Sequence, residues 1–244
     1  MRILISTIIR NRAQHITSWA NQLLRLNESN PNIKFDLVVF ENDSTDLTKE
    51  LLKGELIELL KAKLNNVIIE TADLKWPYFG SIKSGERVIY LAAARNKTLT
   101  LAQKHFGLDV YDKILCVEPD ARYQPDISKL LYTDNDIASG YSVLPFGHGV
   151  PDWIYDSWAT RVKSTDSEYF GPKISELPDE LKVASTFNCF CVYNAKPFVE
   201  GIKFSSLNPY TNDWDCDTTN ICFEFAKAGY DDIAMHKIEV LHMP

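Results

Sequence analysis

Carboxylates gather at three places in this sequence, two of them where a strand should end. The first is Glu118-Pro119-Asp120, directly after the apolar run KILCV. Side chains two residues apart on extended chain point to one side. Two hard oxygen ligands there suit Mg2+ or Mn2+ holding a diphosphate, while the plainer reading is a solvated acidic turn. His242, in VLHMP, could complete such a metal shell with Glu118 and Asp120, although a lone histidine is more often structural. The second place is FENDSTD, where Glu41 and Asp43 follow KFDLVV. A carboxylate there can accept hydrogen bonds from a base or ribose while Ser44, Thr45 or Asp46 caps the following helix. The third is TNDWDCDTTNICFEF, which crowds Asp213, Asp215 and Asp217 ahead of a helical pattern. Helix capping accounts for such a cluster, and so does a general base or acceptor-binding carboxylate at Asp217 or Asp215.

Arg95 sits in the otherwise apolar helical stretch LAAARNKTL, on one face with Arg87 and Leu91 at i, i+4, i+8 spacing. Its planar fork could grip a diphosphate, or make an ordinary ion pair on the helix face. Trp153, Tyr155 and Trp158 crowd VPDWIYDSWATR, where they stack on sugar rings or pack as an aromatic core.

The elements around these residues alternate. ILISTII, KFDLVVFEN and NVIIETA read as strands, separated by a helix from His15 to Leu26 and by DLTKELLKGELIELLKAKL, which Gly54 would break. Continuous Val/Ile/Leu strands in βαβαβ order predict an α/β fold, a parallel sheet with helices on both faces. Ligands of such sheets bind beyond the carboxyl ends of the strands, which adds Thr7 and Arg10 of STIIRNR to the candidates. WPYFGSIKSGE reads as a Pro/Gly/Ser loop, ERVIYLAAARNKTLTLAQKHF as a long helix and YDKILCVEPDARY as a strand. Beyond it the pattern becomes α+β, with a strand pair near VASTFNCFCVYNA and a closing helix NICFEFAKAGY. We expect a single domain over residues 1–244, with a nucleotide-binding half to about 125 and an acceptor-binding half from about 126.

Composition narrows the partners. With 244 residues and 45% hydrophobic content, the chain can bury a large core. A formal net charge of -7 with no basic stripe excludes nucleic acid. The five cysteines lack zinc-site spacing and read as reduced thiols, with Cys189 and Cys191 facing one side of a strand. No apolar run is long enough to span a bilayer and no signal-peptide pattern opens the chain, so a cytoplasmic location, or a soluble domain of a longer protein, is expected.

Taken in order, ILISTIIRNRAQHITSW, VVFENDSTDLTKELL, ERVIYLAAARNKTL, KILCVEPDARYQPDISKLL, WIYDSWATR, TFNCFCVYNAKPF and NICFEFAKAGY resemble the GT-A fold glycosyltransferases. Within that group they resemble the capsule-associated α-1,3-mannosyltransferases of fungi, over nearly the whole chain. The resemblance implies a Rossmann-like, mostly parallel sheet, Mn2+ or Mg2+ as cofactor, a GDP- or UDP-sugar as donor and a glycan hydroxyl as acceptor. It sets Glu41 and Asp43 at the nucleoside, Arg95 beside the diphosphate, and Glu118 and Asp120 at the metal with His242. Asp217 falls where family 2 enzymes carry their acidic catalytic motif. Thr7, Arg10 and Glu118 complete the expected nucleotide-sugar contacts. The same frame is shared by nucleotidyltransferases, which would ordinarily present a Gly-rich basic loop after the first strand, and by a binding module without turnover.

Overall fold

The computed structural model describes residues 1–145 and 148–243. Strand β1 (Arg2–Ile9) is followed by helix α1 (Ala13–Ser29), strand β2 (Lys34–Asn42), the short helices α2 (Thr48–Leu51) and α3 (Glu55–Lys63), and strand β3 (Asn66–Ala72). Next come the long helix α4 (Gly85–His105), strands β4 (Lys113–Val117) and β5 (Ala121–Tyr123), β6 (Ile137–Val143), β7 (Glu180–Lys182) and β8 (Phe190–Asn194). Helices α5 (Lys196–Val199) and α6 (Asp217–Lys227) and strand β9 (Ile233–His242) complete the order.

One sheet runs through both halves of the chain, in the order β3-β2-β1-β4-β8-β6-β9-β5, with β7 paired to β9. The first four strands are parallel, as apolar strands joined by helical crossovers must be. Antiparallel pairing enters where β8 lies against β4. The sheet separates two apolar layers. Ile3 and Ile5 of β1 pack with Ile16, Trp19 and Leu23 of α1 on one face. Leu4 and Val38 pack with Leu99 and Ala102 of α4 on the other, and that layer continues to Ile221 and Phe225 of α6. Each such buried Ile, Leu, Val or Phe side chain contributes about 1.5–3 kcal/mol of transfer free energy.

Gly54 does break the helical run, standing as the N-cap of α3 with extended backbone. Three details differ from the sequence-based expectation. YDKILCVEPDARY is two strands, because Glu118–Asp120 form a turn closed by Ala121 N–H donating to the Glu118 carbonyl. No hairpin forms near VASTFNCFCVYNA: β7 and β8 find different partners, on β9 and between β4 and β6. Cys189 and Cys191 face opposite layers, because Asn188 and Cys189 both take left-handed backbone, with φ of 52° and 62°, and interrupt the alternation. All five cysteines are free and buried. Among the described residues no helix is long and apolar enough to cross a membrane.

Candidate active site

A cavity of about 430 Å³ opens beyond the carboxyl ends of β1, β2 and β4. Its floor is built around Arg95, one of the chain's few buried charges, held by α4 two turns from Arg87. The guanidinium donates from Nε to Asp217 Oδ2 and from a terminal nitrogen to Glu118 Oε1, both at 2.8 Å, and lies 4.5 Å over the Phe187 ring. Burial works against its charge, but Glu118 and Asp217 outweigh it and raise its pKa. The two candidate sets, strand-end acid and helix-start acid, are therefore joined through one arginine. Asp217 is the first residue of α6, and its N-cap, Cys216, makes no side-chain cap bond, so this carboxylate faces Arg95 instead of closing the helix.

Glu118 and Asp120 do not point at a common ligand, because the turn between β4 and β5 separates them. Asp120 Oδ2 accepts from Arg12 Nε at 3.0 Å. Its Oδ1 is buried without a hydrogen-bond partner among the described residues, and faces His242 Nδ1 at 3.6 Å. The antiparallel register that sets Ala121 opposite His242 brings this histidine to the turn. Tyr155 stacks flat on the imidazole, with ring centroids 4.2 Å apart, and burial lowers the pKa of His242 so that the ring favours its neutral, ligating form. An unsatisfied carboxylate oxygen beside a neutral imidazole nitrogen is a donor pair that fits a divalent cation. Glu118 is held by Arg95, and among the described residues no group of three or more His, Cys, Asp or Glu converges as a metal cluster.

The β1–β2 end is built differently. Arg10 donates to the carbonyls of Trp76 and Pro77, each at 2.8 Å, and lies over the Tyr78 ring. Asp43, with left-handed φ of 54°, accepts from the backbone N–H of Lys75 and Trp76. Burial opposes ionisation of Asp43, while Asn42 and these two N–H groups outweigh it and lower its pKa. Both residues thus fix the loop after β3, whose Trp76 and Phe79 pack on Tyr90 at 5.0 and 5.8 Å and present an aromatic wall to the cavity. Sequence reasoning passed over Trp76, Phe79 and Tyr90; the run WPYFG was the available signal.

Of the other candidates, Thr7, Glu41, Asp215 and Trp153 lie apart from the cavity lining. Thr7 and Glu41 are enclosed, and Glu41 Oε1 accepts from Ser44 N–H at 2.9 Å. Asp215 meets Arg161 with both oxygens and takes a further bond from Asn208, which ties down the loop before α6. Trp153 packs edge-on to Tyr169 at 5.4 Å in the core, whereas Tyr155 and Trp158 line the cavity. Asp156, also unremarked in the sequence, lines it too. Burial raises its pKa to about 6, against hydrogen bonds from the backbone of Asn188 and Ala159.

A strand-end acid, a late histidine and a buried arginine–carboxylate pair lie around one cleft of such a sheet, and solved structures agree that the fold is of the GT-A kind. The chain superposes on residues 1–349 of S. aureus TarS with TM-score 0.57 at 15% identity, covering 100% of this chain and 60% of that one. With the TarS complex of UDP-GlcNAc the TM-score is 0.59 at 16% identity, over 100% and 59% of the two chains. The mannosyltransferase PcManGT of Pyrobaculum calidifontis, in complex with GDP-Man and Mn2+, gives 0.57 at 12% identity, over 99% and 56%. The chain thus spans about three-fifths of the length of these structures. The family model described as cryptococcal mannosyltransferase 1 matches residues 2–226, and the chain belongs to that family. No curated protein matches it in sequence.

Proposed function

We propose that this protein is a metal-dependent glycosyltransferase that moves mannose or another hexose from a GDP- or UDP-sugar to a glycan hydroxyl. The observation that carries the reading is the unsatisfied Asp120 Oδ1 facing His242 in the cavity that the Arg95–Asp217 pair also lines. The nucleotide sugars and Mn2+ bound by its structural neighbours support the same assignment.

In this reading the aromatic wall of Trp76, Phe79 and Tyr90 receives the base, with Arg10 and Asp43 keeping that wall in shape. Asp120 and His242 would hold Mn2+ or Mg2+, which would supply positive charge to neutralise the leaving diphosphate. Arg12 keeps one Asp120 oxygen fixed so that the other faces the histidine. Asp217, held in place by Arg95, orients the acceptor hydroxyl and takes its proton. Tyr155 shields the imidazole from water by stacking on it.

The test is a panel of GDP- and UDP-sugars incubated with the protein, with and without Mn2+, followed by release of free sugar or nucleoside diphosphate. Slow metal-dependent hydrolysis of one donor is the expected result. Thermal stabilisation by every donor without any turnover would instead indicate a binding module.

A further inference from the structure

The cavity lining also carries two cations that the site described above does not use. Arg87 and Arg95 both line it from one face of α4, and eight residues at about 1.5 Å each set them about 12 Å apart along the helix. Arg95 is buried and matched by two carboxylates, whereas Arg87 is half-buried. Among the described residues, the Arg87 guanidinium has neither an ion pair nor a hydrogen-bond acceptor, and its one bond is made by its backbone N–H to Ser84. Lys83 is alike: its ammonium rests 5.5 Å over the Trp158 ring and has no carboxylate partner among the described residues. The remaining cations of the lining are engaged, Arg10 by two carbonyls and Arg12 by Asp120.

Aromatic surface adjoins these two charges. Trp158 stands edge-on to Trp214 at 6.5 Å, and Trp214 is 47% exposed. Trp214 packs onto the start of α4 because Gly85 has no side chain: a Cβ there would stand 3.0 Å from the indole Cγ. The wall therefore offers indole surface for the apolar face of a sugar ring and two uncompensated donors for an anion.

We propose that Lys83 and Arg87 bind an anionic group of the acceptor saccharide, so that the preferred acceptor bears a carboxylate or a phosphate. The proposal rests on the glycosyltransferase reading. Two charges of one sign, placed beside the Trp158–Trp214 aromatic platform, select against a neutral glycan by leaving both cations unmatched.

The experiment titrates methyl glucuronide, mannose 6-phosphate and methyl mannoside into the protein, alone and again in the presence of Mn2+ with GDP or UDP. At least one charged sugar should bind about tenfold or more tightly than methyl mannoside, a margin that shrinks as salt rises. The two charged probes separate carboxylate from phosphate recognition. Arg87→Gln and Lys83→Gln, with melting curves confirming the fold, should each remove most of that margin while leaving nucleotide affinity within about twofold. Equal binding of charged and neutral sugars overturns the proposal, as does a variant that weakens nucleotide as much as sugar, since its cation would then serve the diphosphate. Failure of wild-type protein to bind either nucleotide counts against the glycosyltransferase reading, while the titrations without nucleotide still decide this one.

Discussion

The two ends of the cavity use charge in opposite ways. At the β1–β2 end, Arg10 and Asp43 are aimed at backbone carbonyl and N–H groups, and uncharged rings face the cavity. At the β4 end, Arg95, Glu118 and Asp217 are aimed at one another, as are Arg12 and Asp120, and the paired groups themselves line the cavity. The first arrangement shapes a surface, and the second holds charge ready in fixed positions, where an enclosed site makes it count most. Damage to the first end should therefore appear in binding and local order, and damage to the second in turnover.

The largest effect is expected from Asp120→Ala. Loss of a direct ligand should exceed the 10–100-fold cost of losing its supporting contacts, so turnover should fall by more than about a hundredfold. Mn2+-dependent thermal stabilisation by the donor nucleotide should disappear with it, and stabilisation that persists in chelator would contradict the metal assignment. Asp217→Asn should come next, with transfer down by about a hundredfold and nucleotide affinity nearly unchanged. Asn can still accept the Arg95 N–H but cannot take a proton, so wild-type transfer by this variant would reduce the pair to a structural one.

At the other end, Trp76→Ala should weaken nucleotide binding by about tenfold, in line with the loss of one base-stacking contact, while kcat stays close to normal. A fall in kcat without a change in affinity would erase the contrast between the ends. Asp43→Ala should cost about 1–2 kcal/mol by stranding the Lys75 and Trp76 N–H groups, and should speed proteolysis within residues 73–84. Because the folded-state pKa of Asp43 is lowered, its contribution is full above the ordinary carboxylate range and is lost as pH falls through the folded-state value. The smallest effect concerns His242. Burial depresses its folded-state pKa, so its contribution to stability is full above about 6.5 and declines as pH falls. His15 and His236 are depressed by burial in the same way, so His242→Gln should reduce, not abolish, the drop in melting temperature between pH 7 and 5.

Much of this frame is local and could be read from the chain. Runs such as KFDLVVFEN and NVIIETA coincide with β2 and β3, since apolar β-branched stretches between helical patterns have few other solutions. Strand ends pointed to Glu118, Asp120 and Asp43, and the family resemblance is matched over residues 2–226. What spacing could not supply was partnership. Arg95 and Asp217 are 122 residues apart, and Arg12 and Asp120 are 108 apart, distances that only the assembled sheet closes. The extended-chain rule failed at Glu118 and Asp120 because a turn replaces the strand there. It failed at Cys189 because two successive left-handed residues reset which face is which. The aromatic wall was hidden for another reason: WPYFG has the composition of a loop, and its order comes from Arg10 and Asp43, far off in sequence.

The pairing of β5 with β9 has a consequence for how the protein matures. His242 arrives opposite Ala121 on a strand drawn from the far side of the sequence, and contacts of such separation close late, after more local ones have offset the entropy of bringing the ends together. A partly folded chain therefore presents Asp120 without its imidazole. Under the proposed metal assignment, affinity for Mn2+ would report on completed folding, since molecules still searching for their last strand would bind the ion weakly.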